Sequence, residues 1–484
     1  MTGGRTTVAD VIVDGLRRAG TPRLFGLTRG RAGHPIVEAA RAIGLPVALA
    51  AREAAAWVMA GVTGDLIDAP GALVIDAPSA SSAAASGMRD RAPIVLVTSG
   101  HPSVVPGCKE TLRVETEAAA HRIAHAARLA MSEPRGPVHL DIPADVARRA
   151  TIPVATSCRP DSLPYPDGEA LDRAAGALSA ASRPLLLAGL HSRSADAAQW
   201  LRAFVEALPA PLLPTARAKG ALPDPHPLML GVLGVGGVEE HLLKCADLVV
   251  AIGLDTLEAA ALPEACWSSS PVLVFGPAAA PDGRMPAVHV VGDVSAIIEE
   301  LAIRLRDKPR ADWDVAEVDR LRRDGAARGA GDGLAARVVR LAREAMPAGT
   351  IATVDAGAYR GCVATAWHAI APREFLASNA LAAGFALPAA TSAHLVHPDR
   401  RVVCFTDPSA LGPVATELET AARLAARVMV IVFEVDGTDA SALMRLAESV
   451  GLSVAAVDSE AGFSQAFGRA FTAEGGSLIV VRPP

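Results

Sequence analysis

Cysteine is scarce and unpaired in this sequence. Cys108, Cys158, Cys245, Cys266, Cys362 and Cys404 are scattered with no CxxC pair among them. A chain of this size needs no disulfide staples, so free thiols in a reducing cytoplasm are expected. Long apolar runs are absent as well. The stretches Val428 to Phe433 and Leu248 to Ile252 are of strand length, far short of the roughly 20 residues that cross a bilayer. No membrane segment is expected. Nor is there a run of Lys and Arg interleaved with aromatics, and the net charge is only −6. This excludes a nucleic-acid face as a working expectation. Residues 1 to 20 carry Asp10 and Asp14 inside an amphipathic pattern, where a signal peptide would place a basic segment and an uninterrupted apolar one.

What is present is a globular composition, 51% apolar and 20% charged, over 484 residues. Single cores stop growing near roughly 250–300 residues, so two or three domains are expected. From the N-terminus, helical and strand patterns alternate: a helix at 8–19, then strands at 23–25, 47–49, 72–75 and 94–97, with helices at 35–42 and 54–62 between them. Short apolar strands between helices mean parallel pairing with both sheet faces covered. Residues 1–150 therefore read as a doubly wound α/β domain. The aperiodic Pro-, Ser- and Asp-rich stretch that follows makes 151–168 a linker. Strand patterns at 185–188, 248–252 and 272–275 place a second αβ domain at 169–308. A charged, helical connection at 309–330 leads to a third at 331–484, with strands at 351–354, 402–405, 428–433 and 477–481. The fold class is α/β, with three doubly wound parallel-sheet domains.

Several short motifs recur in a telling order. They are Leu24-Phe25-Gly26, Arg52-Glu53-Ala54-Ala55-Ala56, Arg91-Ala92-Pro93 before a strand, and the run from Gly136 through His139-Leu140-Asp141-Ile142-Pro143 to Val146. The middle of the chain adds Arg183-Pro184-Leu185-Leu186-Leu187-Ala188-Gly189, Thr215-Ala216-Arg217-Ala218-Lys219-Gly220 and His226-Pro227-Leu228. The last third adds Gly384-Phe385-Ala386-Leu387-Pro388. Together they resemble the thiamine-diphosphate (ThDP) enzymes related to acetolactate synthase, benzoylformate decarboxylase and oxalyl-CoA decarboxylase. The resemblance implies a pyrimidine-binding, a central and a diphosphate-binding domain. It also implies ThDP and Mg²⁺ as cofactors, a flavin (FAD) or nucleotide in the central domain as a further option, and a small-molecule substrate. A site built from two chains implies a homodimer or homotetramer. In such enzymes the cofactor acts as a carbon nucleophile through its thiazolium C2.

By the same resemblance Glu53 stands at the glutamate that hydrogen-bonds the aminopyrimidine and promotes loss of the C2 proton. Such a carboxyl needs an apolar setting, which Ala54, Ala55, Ala56 and Trp57 could supply. Read without the family, Glu53 opens a helix and favours its N-terminal dipole. The diphosphate site departs from the family pattern. Typical members carry Gly-Asp-Gly or Gly-Asp-Ser after one strand and Asn-Asn after the next, hard oxygen ligands for Mg²⁺. Here those stretches are Thr406-Asp407-Pro408-Ser409-Ala410 and Phe433-Glu434-Val435-Asp436-Gly437. Anchored on Glu417-Leu418-Glu419-Thr420, Pro408 and Val435 fall on the metal-ligand positions, and proline removes an N–H as well. A one-residue slip puts Asp407 at the aspartate, with Asp436 standing in for the asparagine. The plainer reading of both is as turn residues at strand ends. The cofactor-side turn is Ala77-Pro78-Ser79, and Leu381-Ala382-Ala383-Gly384-Phe385 replaces Gly-Thr-Met-Gly-Phe, with Ala383 in place of a bulky methionine. Expected cofactor contacts are thus Ala77, Pro78, Ser79, Ala383, Thr406, Ser409 and Ala410, and expected metal ligands Asp407 and Asp436. The chain is also shorter than typical members between Gly87 and Arg91 and after Gly437, where a segment ordinarily covers the substrate.

Two functions follow as expectations. One is an acetolactate-synthase-like lyase or carboligase acting on a 2-keto acid or 2-hydroxyacyl compound with an altered diphosphate–metal site. The other is a family fold that no longer binds ThDP and serves another ligand, another chemistry or an interaction. Smaller signals are weaker. His121 and His125 share a helix face but have no third ligand nearby. The glycines of 231–237 lack a clear strand and helix around them, and Ser99-Gly100-His101 lacks a nucleophile elbow.

Overall fold

The computed structural model describes residues 6–28, 34–75, 81–100, 104–277, 285–305, 311–435 and 437–482. Three parallel sheets organise them. The first has six strands, β1 (Leu24–Leu27), β2 (Val47–Ala50), β3 (Gly71–Val74), β4 (Ile94–Thr98), β5 (Thr111–Arg113) and β6 (Val138–Asp141), in the order β2-β1-β3-β4-β6-β5. The second has five, β7 (Pro184–Ala188), β8 (Leu212–Pro214), β9 (Leu248–Ile252), β10 (Val272–Gly276) and β11 (Val288–Val291), in the order β11-β10-β9-β7-β8. The third contains β12 (Ile351–Val354), β13 (Phe375–Ala377), β14 (Val402–Thr406), β15 (Val428–Phe433), β16 (Ser453–Val457) and β17 (Ser477–Val481). In it β12 pairs with β13, and β14 with β15, both in parallel. The expected α/β class with three doubly wound sheets is the observed one.

By packing, the chain divides into two compact units. One comprises Met1–Asp161, Ser378–Ala455 and Ala470–Val480; the other comprises Ser162–Ala377, Ala456–Arg469 and Val481–Pro484.

In the first unit, both faces of the first sheet are covered, as continuous apolar strands require. One face packs under the Val8–Arg18 helix, where Val8, Ile12 and Leu16 meet Leu24, Val95 and Ile123. That helix starts where Thr7 and Asp10 form a capping box, Thr7 Oγ1 accepting from the Asp10 N–H at 3.2 Å and Asp10 accepting from the Thr7 N–H at 2.8 Å. The other face packs under the Glu53–Ile67 helix, through Ala56, Trp57, Met59 and Ala60 against Phe25, Leu73 and Leu96. This helix runs past the expected 54–62 because Thr63 to Ile67 continue it until Asp68, at φ 56°, closes it in a left-handed C-cap. It is apolar on nearly every side, the mark of a helix buried all round. Its other side meets the Ala386–Val396 helix, with Thr63 and Ser392 hydroxyls 2.6 Å apart and Ser392 donating to the Met59 carbonyl at 2.8 Å.

In the second unit, the sheet β7–β11 carries a buried polar network at its carboxyl ends. Glu258 accepts from the N–H of Leu190 at 2.8 Å and of Asp255 at 3.1 Å, and from the Thr215 hydroxyl at 2.7 Å. Residues 152–167 form no helix or strand, and the Val315–Ala330 helix lies within the expected connection at 309–330. Among the described residues no helix is long and apolar enough to cross a membrane.

Candidate functional site

Glu53 is the first residue of the Glu53–Ile67 helix, which begins three residues after β2 ends at Ala50. Parallel strands present such turns at their carboxyl ends, where ligands of α/β sheets gather. The Arg52 N-cap is extended and supplies no side-chain cap, so the helix N-terminus favours the Glu53 carboxylate. Glu53 is half-buried. Ala55, Ala56 and Trp57 are buried but Ala54 is exposed. Consecutive helical residues point about 100° apart, so one apolar run cannot line a single wall around Glu53. Of the four residues expected to give an apolar setting, Ala55, Ala56 and Trp57 are thus committed to the core beneath the sheet and Ala54 faces outward.

Behind Glu53 stands a residue that pattern reading passed over as an alignment anchor. Glu417, 1% exposed, accepts from the Arg52 N–H at 2.8 Å and from the Ala51 N–H at 3.4 Å. At the other end of the same Glu417–Arg423 helix, the Arg423 guanidinium donates to the Leu49 carbonyl. The turn that presents Glu53 is therefore gripped from both ends of one short helix. Burial pushes the Glu417 carboxyl above its ordinary pKa, an effect partly offset by hydrogen bonds from Thr420 and from the Arg52 and Ala51 N–H groups and by the Arg423 charge.

Because the folded chain holds this proton more tightly than the unfolded one, stability falls as pH rises from about 4.5 through the raised folded value. Below the unfolded value the favourable contribution is fully present. Glu417→Gln is expected to remove this decline. In urea titrations across that window, the stability of the variant relative to wild type should rise with pH, and a constant difference would refute the assignment.

The second carboxylate, Asp407, directly follows β14. It is 5% exposed and caps the four-residue Pro408–Leu411 helix. Its Oδ1 accepts from the Ser409 N–H at 2.9 Å, the Ala410 N–H at 3.0 Å and the Ser409 hydroxyl. Among the described residues Oδ2 makes no hydrogen bond. The chain thus closes this turn with Asp407, while Pro408 takes the first helical position that its fixed φ suits. Thr406 and Ala410 are buried beside Asp407, so four of the expected residues, Thr406, Asp407, Ser409 and Ala410, come together. Ala383 is exposed in the turn before the Ala386–Val396 helix. Ala77, Pro78, Ser79 and Asp436 lie outside the described residues.

The turn containing Ala383 has its own support. Asp90 accepts from the Ser378 hydroxyl at 2.8 Å and from the N–H groups of Asn379 at 2.6 Å and Ala380 at 3.2 Å. Leu381 then takes a left-handed φ of 51°. That backbone suits the glycine typical of the resemblance and costs a branched residue about 1–2 kcal/mol.

These residues fit a reduced clamp. Mg²⁺ is commonly held by one or two carboxylates plus the phosphate oxygens of its ligand. Asp407 Oδ2 is an oxygen of that chemical type, on a carboxylate already held by three donors. No group of three or more His, Cys, Asp or Glu side chains suited to a metal occurs among the described residues. A phosphate cradle fits this turn less well than a cation does, because Pro408 has no N–H and Asp407 already takes those of Ser409 and Ala410. At Val435, the N–H donates to Thr438 Oγ1 at 3.0 Å and the carbonyl accepts from the same hydroxyl at 2.7 Å.

Comparisons with known proteins bear on the family of the chain. Residues 171–301 match the family model "Thiamine pyrophosphate enzyme, central domain", and residues 355–481 match "Thiamine pyrophosphate enzyme, C-terminal TPP binding domain". The chain is 30% identical over 305 residues to acetolactate synthase isozyme 1 large subunit of Escherichia coli (strain K12), covering 61% of this chain and 54% of that protein. It is 25% identical over 333 residues to oxalyl-CoA decarboxylase of the same organism, covering 61% and 57%. The aligned stretch thus spans little more than half the length of these relatives. An X-ray structure of a Mycobacterium smegmatis protein, provisionally described as a thiamin diphosphate-dependent enzyme, superposes with a TM-score of 0.80 over 99% of this chain and 100% of that one. At 21% identity, that likeness speaks for the fold alone. With two domain models of one family in the family's order, and relatives of the same family aligned across more than half its length, the chain belongs to the thiamine-diphosphate-dependent enzymes.

Proposed function

We propose that the chain is a ThDP-dependent lyase or carboligase acting on a 2-keto acid or 2-hydroxyacyl compound through an altered diphosphate–metal site. Asp407 serves as the carboxylate ligand of that site, Asp436 as its second, and Glu53 as the residue facing the aminopyrimidine. When bound, ThDP supplies a carbon nucleophile for C–C bond chemistry next to a carbonyl. The observation that supports this reading is Asp407, buried, fixed through Oδ1 by three donors, with Oδ2 unengaged. An assembly of at least two copies belongs to the same proposal, since the family's site draws on two chains.

A second reading rests on Pro408 and on the Ser409 and Ala410 N–H groups that Asp407 has taken: the fold no longer binds ThDP and serves another ligand. Calorimetry separates the two. Cofactor-free protein titrated with ThDP and Mg²⁺ is expected to bind, and Asp407→Asn to bind at least about tenfold more weakly, a loss of about 1.4 kcal/mol. Asparagine caps helices about as well as aspartate, so the variant's thermal midpoint should barely move. Absence of heat at millimolar cofactor would overturn the enzymatic reading in favour of the second.

A further inference from the structure

A cleft of about 580 Å³ opens within the first unit, beside Val428 and Val430 at the start of β15. Strands β14 and β15 are parallel, and Asp407 follows the last residue of β14. The cleft therefore lies at the opposite end of the sheet from the candidate site. Its volume falls within the range of about 300–1,000 Å³ typical of small-ligand pockets.

The floor is apolar, with Leu387, Leu418, Val428 and Val430 all buried. Three exposed charged residues line the cleft, Asp399, Arg427 and Glu474, and none makes an ion pair or side-chain hydrogen bond among the described residues. His394 also lines it, only 8% exposed, and its Nδ1 has no hydrogen-bond partner. A buried polar atom without a partner is costly, and a native structure that keeps one calls for a reason. Burial, and then the charges of Arg427 and Arg401, hold this imidazole below its ordinary pKa and so neutral near pH 7. Ala425, in the cleft wall, takes a left-handed φ of 51°. Strain of that kind collects at ligand sites.

The charges choose among ligand classes. A simple anion would suit Arg427 but meet two carboxylates. A simple cation would leave Arg427 unmatched. A wholly apolar molecule would leave His394 Nδ1 without a partner. We propose that this cleft binds a small zwitterion with an apolar body: hydrocarbon on the valine and leucine floor, acid group against Arg427 and His394, ammonium against Asp399 and Glu474.

The test uses the full chain without ThDP, so its outcome is independent of the proposed enzymatic function. L-norleucine, hexanoate and n-pentylammonium are titrated by calorimetry, with the His394 Cε1–H resonance followed by NMR. Norleucine is expected to bind saturably with a dissociation constant below about 1 mM and to shift that resonance. Each single-charge analogue should bind at least about threefold more weakly, the scale of one exposed charge contact. Arg427→Gln and Glu474→Gln alter exposed residues and should leave the fold intact. Each should weaken norleucine by about threefold or more, and Arg427→Gln should not weaken pentylammonium. Failure of norleucine to saturate, analogues that equal it, an unmoved His394 resonance, or variants that bind as wild type would each overturn the proposal.

Discussion

Replacing Glu53 with glutamine is expected to leave ThDP affinity within about threefold of wild type while slowing exchange of the cofactor's C2 proton by about 10²–10⁴-fold, the usual yield of a positioned acid–base group. Glutamine keeps the size and a hydrogen-bonding oxygen of the side chain but cannot exchange a proton with the aminopyrimidine. The measurement is deuterium exchange at C2, followed by NMR on the variant loaded with ThDP and Mg²⁺. The control lies in the position itself. Glu53 opens a 15-residue helix, so its charge also favours the helix dipole. Losing that charge should lower stability by about 0.3–1 kcal/mol whatever the function. A small stability loss with unchanged exchange would leave Glu53 a helix-start residue and nothing more. A large loss of exchange with the same small stability loss is the result expected here.

How much of this was legible in the sequence depended on the range of the interaction. The strands at 94–98, 248–252 and 428–433 are short apolar runs whose burial on both faces is written into consecutive residues. The position of Glu53 was legible for the same reason, since a helix that begins directly after a strand is a local pattern. The turn at 406–410 was half legible. Two registers could be drawn through Asp407 and Pro408, and the structure makes Asp407 the cap because its carboxylate reaches the N–H groups two and three residues on. Glu417 was not legible as a supporting residue. Its partners at Ala51 and Arg52 lie more than 360 positions away along the chain, and an acidic residue at a helix start reads as exposed until its partners are seen. Asp90 was hidden likewise, since it closes the turn at 378–380 nearly 290 residues later. Leu381 shows a different limit. Composition says a leucine avoids left-handed backbone, yet the turn held by Asp90 imposes it.

Gly71→Ala is expected to destabilise the protein by at least about 3 kcal/mol, at or beyond the upper end of ordinary overpacking costs. Gly71 opens β3, and a Cβ there would stand 1.9 Å from the carbonyl oxygen of Ala60 in the Glu53–Ile67 helix. The obstructing atom is backbone, so no side-chain rotation relieves the clash; the helix must move. Other small residues show how closely helix and sheet approach. A Cβ on Gly61 would lie 2.8 Å from that of Ala92, and one on Gly64 2.7 Å from both the Ala69 carbonyl oxygen and the Gly71 nitrogen. Glycine inside a helix costs roughly 0.5–1 kcal/mol relative to alanine, and here that cost accompanies close packing that positions Glu53. Gly176→Ala provides the opposite sign. It lies on an exposed face of the Gly168–Ala180 helix with nothing within 4 Å of its would-be Cβ, so alanine should stabilise by about 0.5–1 kcal/mol. Urea titrations of both variants at constant m-value give the comparison. If Gly71→Ala proves neutral, the helix is free to slide on its sheet, and the close packing cannot be what fixes Glu53. If it destabilises as expected yet folds at low temperature, the displaced helix should also slow C2-proton exchange in ThDP-loaded protein, with Glu53 itself unchanged in sequence.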